Sequence, residues 1–277
     1  MLHGTIRRIV RTSAAAVLAG AVVVPISLHA QDRDRERETN AFQWSGRIPA
    51  GSWLRLRNIN GRINVVAASS ETAEVTADKT WRRGDPEQVR IEMVRDGDNV
   101  TICAIWHENV RCDAEGYRGS GRSERSNDVA VEFTVRLPRG VHAELHTVNG
   151  GLAVEGATGQ VEARTVNGGI NVTSSAGPVS ARTTNGSITA TMGTNRVEND
   201  LSFQTVNGSI TLTLPQSINA QLEMRTVNGS LSSDFPITIS GRIRPRAINA
   251  TLGDGGGRLE VRTVNGSIRI RRAGDRE

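Results

Sequence analysis

The sequence predicts an all-β fold: a single-domain parallel β-solenoid with coils of roughly 18–22 residues and a hairpin and loop insertion. Three observations favour this fold: a repeated four-residue motif, an alternation of apolar and polar residues around it, and a scarcity of aromatic side chains. Aromatic residues make up 3% of the chain, while glycine occurs 29 times. This composition suits a thin β core of aliphatic side chains better than a thick globular core.

The motif Thr-Val-Asn-Gly, once in the form Thr-Thr-Asn-Gly, recurs along the second half of the chain. Weaker copies lie at 58–61 and 247–250. From residue 149 onward, consecutive copies are 16 to 22 residues apart, which allows two short strands and two turns per unit. The asparagines of the strong copies are expected to stack as a ladder at one corner of the solenoid: Asn149, Asn167, Asn185, Asn207, Asn228 and Asn265.

Apolar and polar residues alternate on both sides of each asparagine. Around Asn167, the apolar Val161 and Ala163 come before the motif, and Ile170 and Val172 come after it. A period of two residues marks strands with one buried face. The glycine after each asparagine is expected to supply the positive φ that a sharp turn requires.

Two architectures are compatible with this pattern. Asn-Gly between alternating strands is a strong hairpin signal and would give an antiparallel meander. A meander, however, has no reason to keep Thr-Val before each Asn-Gly. In a solenoid, equivalent residues of successive coils stack about 4.8 Å apart, which gives valine columns, threonine columns and an asparagine ladder. The identity of the repeats therefore favours the solenoid.

The N-terminal residues read as a signal for export. Three arginines precede the short apolar run 14–26, and the segment 1–30 ends in a small residue, as secretory signal peptides do. Residues 31–40 form a charged, disordered spacer, 41–272 the solenoid and 273–277 a tail. An exported chain lies in the periplasm, at the outer surface or outside the cell. Removing the signal peptide leaves a nearly balanced charge, which predicts no nucleic-acid binding and at most peripheral membrane contact.

The segment 85–127 breaks the repeat pattern. Its residues 89–94 and 100–106 read as a hairpin, followed by a mobile loop over 107–127. Cys103 and Cys112 are the two cysteines of an exported chain, so they are expected to form a disulfide across a tight turn; two free thiols are the alternative. The loop is either a tolerated surface insertion or a place where specific function lies.

Two segments resemble a known family. The pattern Val161-Glu-Ala-Arg-Thr-Val-Asn-Gly-Gly-Ile-Asn-Val172 and the preceding segment 131–140 are similar to the bacterial "putative adhesin" domains of unknown function, over roughly residues 42–272. The resemblance implies a β-solenoid in a surface or envelope setting and carries no catalytic motif. Some relatives are linked to envelope-stress signalling, which implies a second possible role.

Two functions follow as hypotheses. The first is a secreted or periplasmic, non-catalytic binding or structural module whose partner is an envelope polymer, a glycan or a surface protein. The second is an envelope-stress sensor or regulator that binds anionic envelope ligands or a membrane partner. The chain is not expected to be an enzyme or to hold a cofactor, because it contains no nucleophile elbow, phosphate-binding loop or dinucleotide fingerprint.

A column of arginines is the candidate binding site. Three residues before each asparagine the side chain is expected to face outward, and it is usually arginine: Arg57, Arg164, Arg182, Arg225, Arg246 and Arg262. Glutamates two residues earlier could convert this column into a self-compensated ion-pair ladder. Alternatively the arginines bind a repetitive anion, first of all at Arg182, where Ser180 replaces glutamate. His142 and His146 are not expected to bind a metal, because four residues of strand separate them by about 13 Å.

Overall fold

The computed structural model of the chain describes residues 42–119, 127–174, 176–236, 238–239 and 246–274, so the predicted signal peptide and spacer lie outside the described residues. The regular structure of the described residues is almost entirely β, with one short 3-10 helix at Pro86–Gln88. The first strands are β1 (Phe42–Arg47), β2 (Trp53–Arg57), β3 (Ile63–Ala67), β4 (Thr72–Thr80), β5 (Arg90–Asp96), β6 (Asn99–Ile105), β7 (Arg111–Cys112), β8 (Tyr117–Arg118), β9 (Ala130–Leu137), β10 (His142–His146) and β11 (Leu152–Ala157). They are followed by β12 (Val161–Arg164), β13 (Ile170–Ser174), β14 (Val179–Arg182), β15 (Ile188–Thr191), β16 (Leu201–Gln204), β17 (Ile210–Leu214), β18 (Ala220–Arg225), β19 (Leu231–Ser233), β20 (Thr238–Ile239), β21 (Ala247–Leu252), β22 (Arg258–Arg262) and β23 (Ile268–Arg272).

Two long sheets contain nearly all of these strands. Sheet A has ten strands in the order β1-β4-β9-β3-β11-β13-β15-β17-β23-β19. Sheet B has eleven in the order β20-β21-β18-β22-β16-β14-β12-β10-β2-β6-β5. Each coil contributes one strand to sheet B, turns at its Thr-Val-Asn-Gly corner, and contributes its next strand to sheet A. In the part of the chain that the structure describes, no helix has the length and hydrophobicity that a membrane span requires.

The central strands pair in parallel and in register, which confirms the solenoid and rules out the meander. Val161 lies beside Val179, and Ala163 beside Ala181, in the neighbouring coil. These side chains point inward and are at most 2% exposed, while the residues between them face outward. Aliphatic side chains of both sheets form one continuous core. The period of two in the sequence is therefore the in–out alternation of the strands.

The threonine and the glycine of the motif are fixed by contacts between neighbouring coils. The buried hydroxyl of Thr183 donates to the carbonyl oxygen of Gly168 at 2.9 Å, and equivalent threonines do the same along the stack. A Cβ on Gly186 would lie 2.1 Å from the same Gly168 oxygen. Of the motif glycines only Gly61 and Gly266 have positive φ. Positive φ is thus the wrong explanation for the other glycines, which are needed because a side chain would collide with the adjacent coil.

The asparagines form a continuous line of side-chain hydrogen bonds along the corner. Each Nδ2 donates to the Oδ1 of the neighbouring coil at 2.8 or 2.9 Å, as from Asn167 to Asn149. The six predicted asparagines all lie in this line, and Asn60 of the first weak copy extends it. The valines between Thr and Asn also line up, but they face solvent with 38 to 48% exposure. They are a surface stripe and not a core column.

The coils at both ends stack out of chain order. Asn265 lies between Asn207 and Asn228, so the coil of β22 and β23 separates two coils that are consecutive in the sequence. The first coil, β2 and β3, is likewise flanked by β6 and β9 on one side and by β10 and β11 on the other. The weak copy at 247–250 is not a coil, because β21 pairs antiparallel with β18. That part of the repeat prediction is wrong.

The predicted hairpin in the irregular segment is present as β5 and β6, joined at Asp96 and Asn99. It is part of the solenoid: β6 pairs in parallel with β2, and β9 with β3. Three antiparallel strands cap this end: β4 pairs with β9, β1 pairs with β4, and β5 pairs with β6. These strands cover the end of the parallel stack and leave β1 and β5 as the edge strands of the two sheets at this end.

Candidate functional site

The two outer faces of the solenoid differ in charge. On sheet A, the outward residues of β13, β15 and β17 are small and uncharged, such as Asn171, Thr189 and Thr211, and the charged Glu155 and Arg269 lie on the strands beside them. On sheet B, outward arginines and glutamates, such as Glu162 and Arg164, occur in most coils. A charged partner is therefore expected to bind the outer face of sheet B.

The arginine column lies on this face, three residues before each asparagine. Parallel register places each member directly beside the next. From the capped end onward the column contains Arg57, His146, Arg164, Arg182, Gln204, Arg262 and Arg225. Neighbouring members are about one strand spacing, 4.8 Å, apart.

Most of the arginines are compensated by glutamates on the same face. Arg164 lies 3.4 Å from Glu162, and Arg225 lies 3.5 Å from Glu223. Arg262 lies 2.9 Å from Glu223 and also contacts Glu260. Their side chains are 42 to 55% exposed, so each pair contributes little stability on its own.

Arg182 is the exception at the centre of the column. Its side chain is exposed, and among the described residues no carboxylate lies within ion-pairing distance of its guanidinium. Ser180 takes the place of glutamate in its strand, and Ser202 follows in the next coil. A shallow depression of about 140 Å³ opens here between Glu162, Arg164, Ser180, Arg182, Ser202 and Gln204. Two arginines and one carboxylate, that of Glu162, therefore line the depression.

Two members of the predicted column are placed differently. Arg57 is expected to face solvent, but its side chain is only 7% exposed and donates to Glu144 Oε1 at 2.7 Å and to the Glu115 carbonyl at 2.9 Å. Arg246 is exposed, but it precedes the antiparallel strand β21 and so lies outside the parallel coils. Both errors arise because the sequence pattern does not reveal the order of strands at the ends.

The disulfide explains why Arg57 is covered. Cys103 faces outward on β6 beside Arg57 and is bonded to Cys112, with Cα atoms 5.7 Å apart, which confirms the predicted bridge. A turn lies between the cysteines, where the Val110 N–H donates to the His107 carbonyl oxygen at 3.2 Å, but the chain after it pairs as β7 with β8 and not with β6. The chain over 112–118 folds back onto sheet B, where Ala114 O accepts from Thr101 and the Tyr117 hydroxyl donates to Ala104 O at 2.6 Å. We call residues 112–118 the covering loop, because they cover one end of the charged face of sheet B.

A small charged cluster lies at the edge of the covering loop. Glu144 accepts from Arg55 at 3.1 Å and from Arg57 at 2.7 Å. His146 Nε2 lies 3.5 Å from the same carboxylate, but burial, followed by the charge of Arg57, lowers the pKa of His146 to about 4. The imidazole is therefore neutral near pH 7. Among the residues that the structure describes, no three His, Cys, Asp or Glu side chains are grouped so that they could hold a metal ion.

A second depression, of about 960 Å³, was not predicted from the sequence. It lies at the corner opposite the motifs, near the capped end, between Pro49, Ala50, Ala67, Leu137 and Arg139. Its lining comes from turns far apart in the sequence, so no local motif marks it. The walls are small and mixed in polarity, which gives little basis for selecting a ligand.

These features define the class of the protein: a repeat protein of the parallel β-solenoid type, with a column of arginines and glutamates on the outer face of sheet B. Residues 113–271 match the model of the Toastrack DUF4097 family, and the chain belongs to this family. No curated protein is significantly similar in sequence.

Several solved structures are similar to this chain at low sequence identity. A putative cell adhesion protein from Clostridium sporogenes shares 12% identity with a TM-score of 0.46, over 84% of this chain and 99% of that chain. A putative adhesin from Bacteroides fragilis shares 7% identity with a TM-score of 0.30, over 83% and 96%. A putative lipid binding protein from Parabacteroides distasonis shares 8% identity with a TM-score of 0.26, over 86% and 96%. None of these similarities bears on what this chain binds.

Proposed function

We propose that this protein is an exported, non-catalytic binding module of the cell envelope that holds a linear acidic polymer along the outer face of sheet B. The observation that carries the proposal is the uncompensated Arg182, which lies between Arg164 and Gln204 in the column. Arg164 is engaged by Glu162 and Gln204 donates to Glu260, while Arg182 is free to bind an external anion.

The geometry suits a repeating anion. Arg164 and Arg182 lie side by side in parallel register, and Ser180 supplies a hydroxyl group beside them, while the Ser202 hydroxyl already donates to Glu260 at 3.4 Å. Planar guanidinium groups bind carboxylate and phosphate oxygens in a fork-like geometry. Because the column runs along the solenoid axis, a linear polymer can contact several coils at once, which raises the avidity of individually weak contacts.

Export and the absence of catalysis belong to the same proposal. The Cys103–Cys112 disulfide suits an oxidising compartment outside the cytoplasm. No catalytic step is proposed, because Glu144, the carboxylate closest to His146, is already neutralised by Arg55 and Arg57. Cell fractionation tests the location: recovery of the protein in the cytoplasm with reduced thiols would contradict it.

The test compares two single substitutions in the same column. Arg182→Gln removes the uncompensated charge, whereas Arg225→Gln removes an arginine of similar exposure that is paired with Glu223. Binding to polygalacturonate, an acidic polysaccharide, is measured by titration calorimetry at low and at high salt. We expect Arg182→Gln to weaken binding severalfold and to reduce its salt dependence. Arg225→Gln should have a smaller effect, because the Arg225 guanidinium is already engaged by Glu223, which keeps its contact with Arg262 in the variant.

The proposal fails if both variants bind the polymer as the parent does, or if the parent does not bind at low salt. Vesicles of anionic phospholipid form a second arm. Binding to vesicles without binding to the polysaccharide would show that a membrane surface, and not an acidic polymer, is the partner of this face.

A further inference from the structure

The coil of β22 and β23 occupies a slot between two earlier coils. On sheet B, β22 pairs with β16 on one edge and with β18 on the other. On sheet A, β23 pairs in the same way with β17 and β19. We call this coil the last coil, and the space between the coils of Asn207 and Asn228 the slot.

The last coil is held in the slot from both sides. Leu259, Val261, Ile268 and Ile270 are completely buried in the shared core. The Thr263 hydroxyl donates to Gly208 O on one side, and on the other side Gly266 O accepts from the Thr226 hydroxyl, each at 2.9 Å. Each of these contacts joins the last coil to strands that precede it in the chain.

The covalent connection to the slot is short and rich in glycine. Residues 253–257 link β21 to β22, and four of these five residues are glycine. Gly253, Gly255 and Gly256 have positive φ, so this hinge already uses backbone conformations that other residues rarely adopt. A glycine hinge can change direction at low steric cost, which leaves the coil able to leave its own slot as a unit.

The hydrogen bonds and apolar contacts that hold the last coil in the slot can also be made by the last coil of a second copy of the chain. Its two open edges require a strand, a Thr-Val-Asn-Gly corner and a second strand, in parallel register and with apolar residues inward. The same segment of another copy supplies every one of these hydrogen bonds and apolar contacts. Exchange of an identical element between copies is a low-cost route to dimers, since only the hinge differs.

We propose that the slot binds the last coil of a second copy, so that two chains exchange their last coils and form a dimer. In the dimer each asparagine line stays continuous, because Asn265 of one chain is inserted between Asn207 and Asn228 of the other. The proposal is independent of the charged face and of what that face binds.

Cysteine cross-linking of the full chain tests the exchange. Ser209 and Ser267 occupy equivalent positions in adjacent coils, where the Ser267 N–H donates to Ser209 Oγ at 3.2 Å. One chain carries Ser209→Cys and the other Ser267→Cys, each with a different tag. The two chains are unfolded, mixed, refolded and oxidised. We expect a covalent heterodimer of doubled mass on a non-reducing gel.

The matched control is a mixture of Ser187→Cys and Ser209→Cys chains. These serines are neighbours in the same way, with the Ser209 N–H donating to Ser187 Oγ at 3.3 Å, but both belong to coils that stay within one chain. This mixture measures random cross-linking. The exchange is overturned if the Ser209 and Ser267 mixture gives no more heterodimer than the control, while a chain carrying both substitutions forms the bond internally.

Discussion

The central coils and the two ends of the solenoid are built from similar segments but are ordered differently. In the centre, the coils of Asn149, Asn167, Asn185 and Asn207 stack in the order of the chain. At the ends, the first and last coils are each inserted beside strands that are distant from them in sequence, as β22 is beside β16 and β2 is beside β10. The repeat therefore encodes a stacking unit with two equivalent edges, and it does not encode which unit comes next.

Spacing along the chain differs between the two regimes but does not by itself decide the order. Central asparagines that stack directly are 18 or 22 residues apart. In contrast, Asn60 and its stacking partner Asn149 are 89 residues apart, and Asn207 and Asn265 are 58 apart. Asn207 and Asn228 belong to consecutive copies of the motif and still have Asn265 between them, so the order of the coils is decided by which edges fit.

The largest effect is expected from a side chain placed between central coils. Gly186→Ala puts a Cβ about 2.1 Å from the Gly168 carbonyl oxygen, which cannot move without breaking the Thr183 hydrogen bond. We expect a loss of about 3 kcal/mol or more in the free energy of unfolding, measured by urea denaturation. Gly169→Ser is the control, because serine occupies the equivalent site in the next coil and the nearest atom to a Cβ there is 3.4 Å away. Equal stability of the two variants would contradict the steric explanation.

The disulfide is expected to matter at the capped end and not in the central coils. Replacing Cys103 and Cys112 together by serine opens a short covalent loop, which should cost about 2–3 kcal/mol by urea denaturation. Hydrogen exchange locates the loss: amides of β6 and of the covering loop should exchange faster, while those of β12 to β15 keep their protection. Uniformly faster exchange along the whole chain would show that the ends and the centre unfold as one unit.

A smaller effect is expected from removing one buried hydroxyl. Thr183→Val keeps the shape of the side chain but leaves the Gly168 carbonyl without its donor, at a cost of about 1–2 kcal/mol. Thr184→Val is the matched control, since valine occupies this exposed position in the other strong copies. Thermal unfolding should show a lower Tm for the first variant and an unchanged Tm for the second. A lower Tm for both would point to strand propensity and not to the hydrogen bond.

The smallest effect is expected in the asparagine line, because its members are exposed to solvent. Asn207→Ala removes the hydrogen bonds to Asn185 and from Asn265, and should cost about 1 kcal/mol. Asn228→Ala removes only the bond to Asn265, so its cost should be about half as large. Measurement of both by urea denaturation distinguishes the line from a simple turn preference, which would give the two variants equal costs.

The sequence predicted those features that depend on near neighbours. The strands around Asn167, the members of the asparagine line and the Cys103–Cys112 pair all follow from local spacing and composition. The burial of Arg57, the position of Arg246 outside the coils and the insertion of the last coil depend on pairing between distant segments. No local pattern contains that information, because every coil presents nearly the same edges to its neighbours.

The inserted first and last coils also determine how the rod responds to force. In a solenoid stacked in chain order, a pull on the last coil loads one edge and opens its hydrogen bonds one after another. Here the last coil is held by strands on both of its edges in both sheets, so a pull on β23 strains β17 and β19 together. A pull on the last coil therefore has to shear hydrogen bonds on both of its edges at once, instead of opening one edge bond by bond.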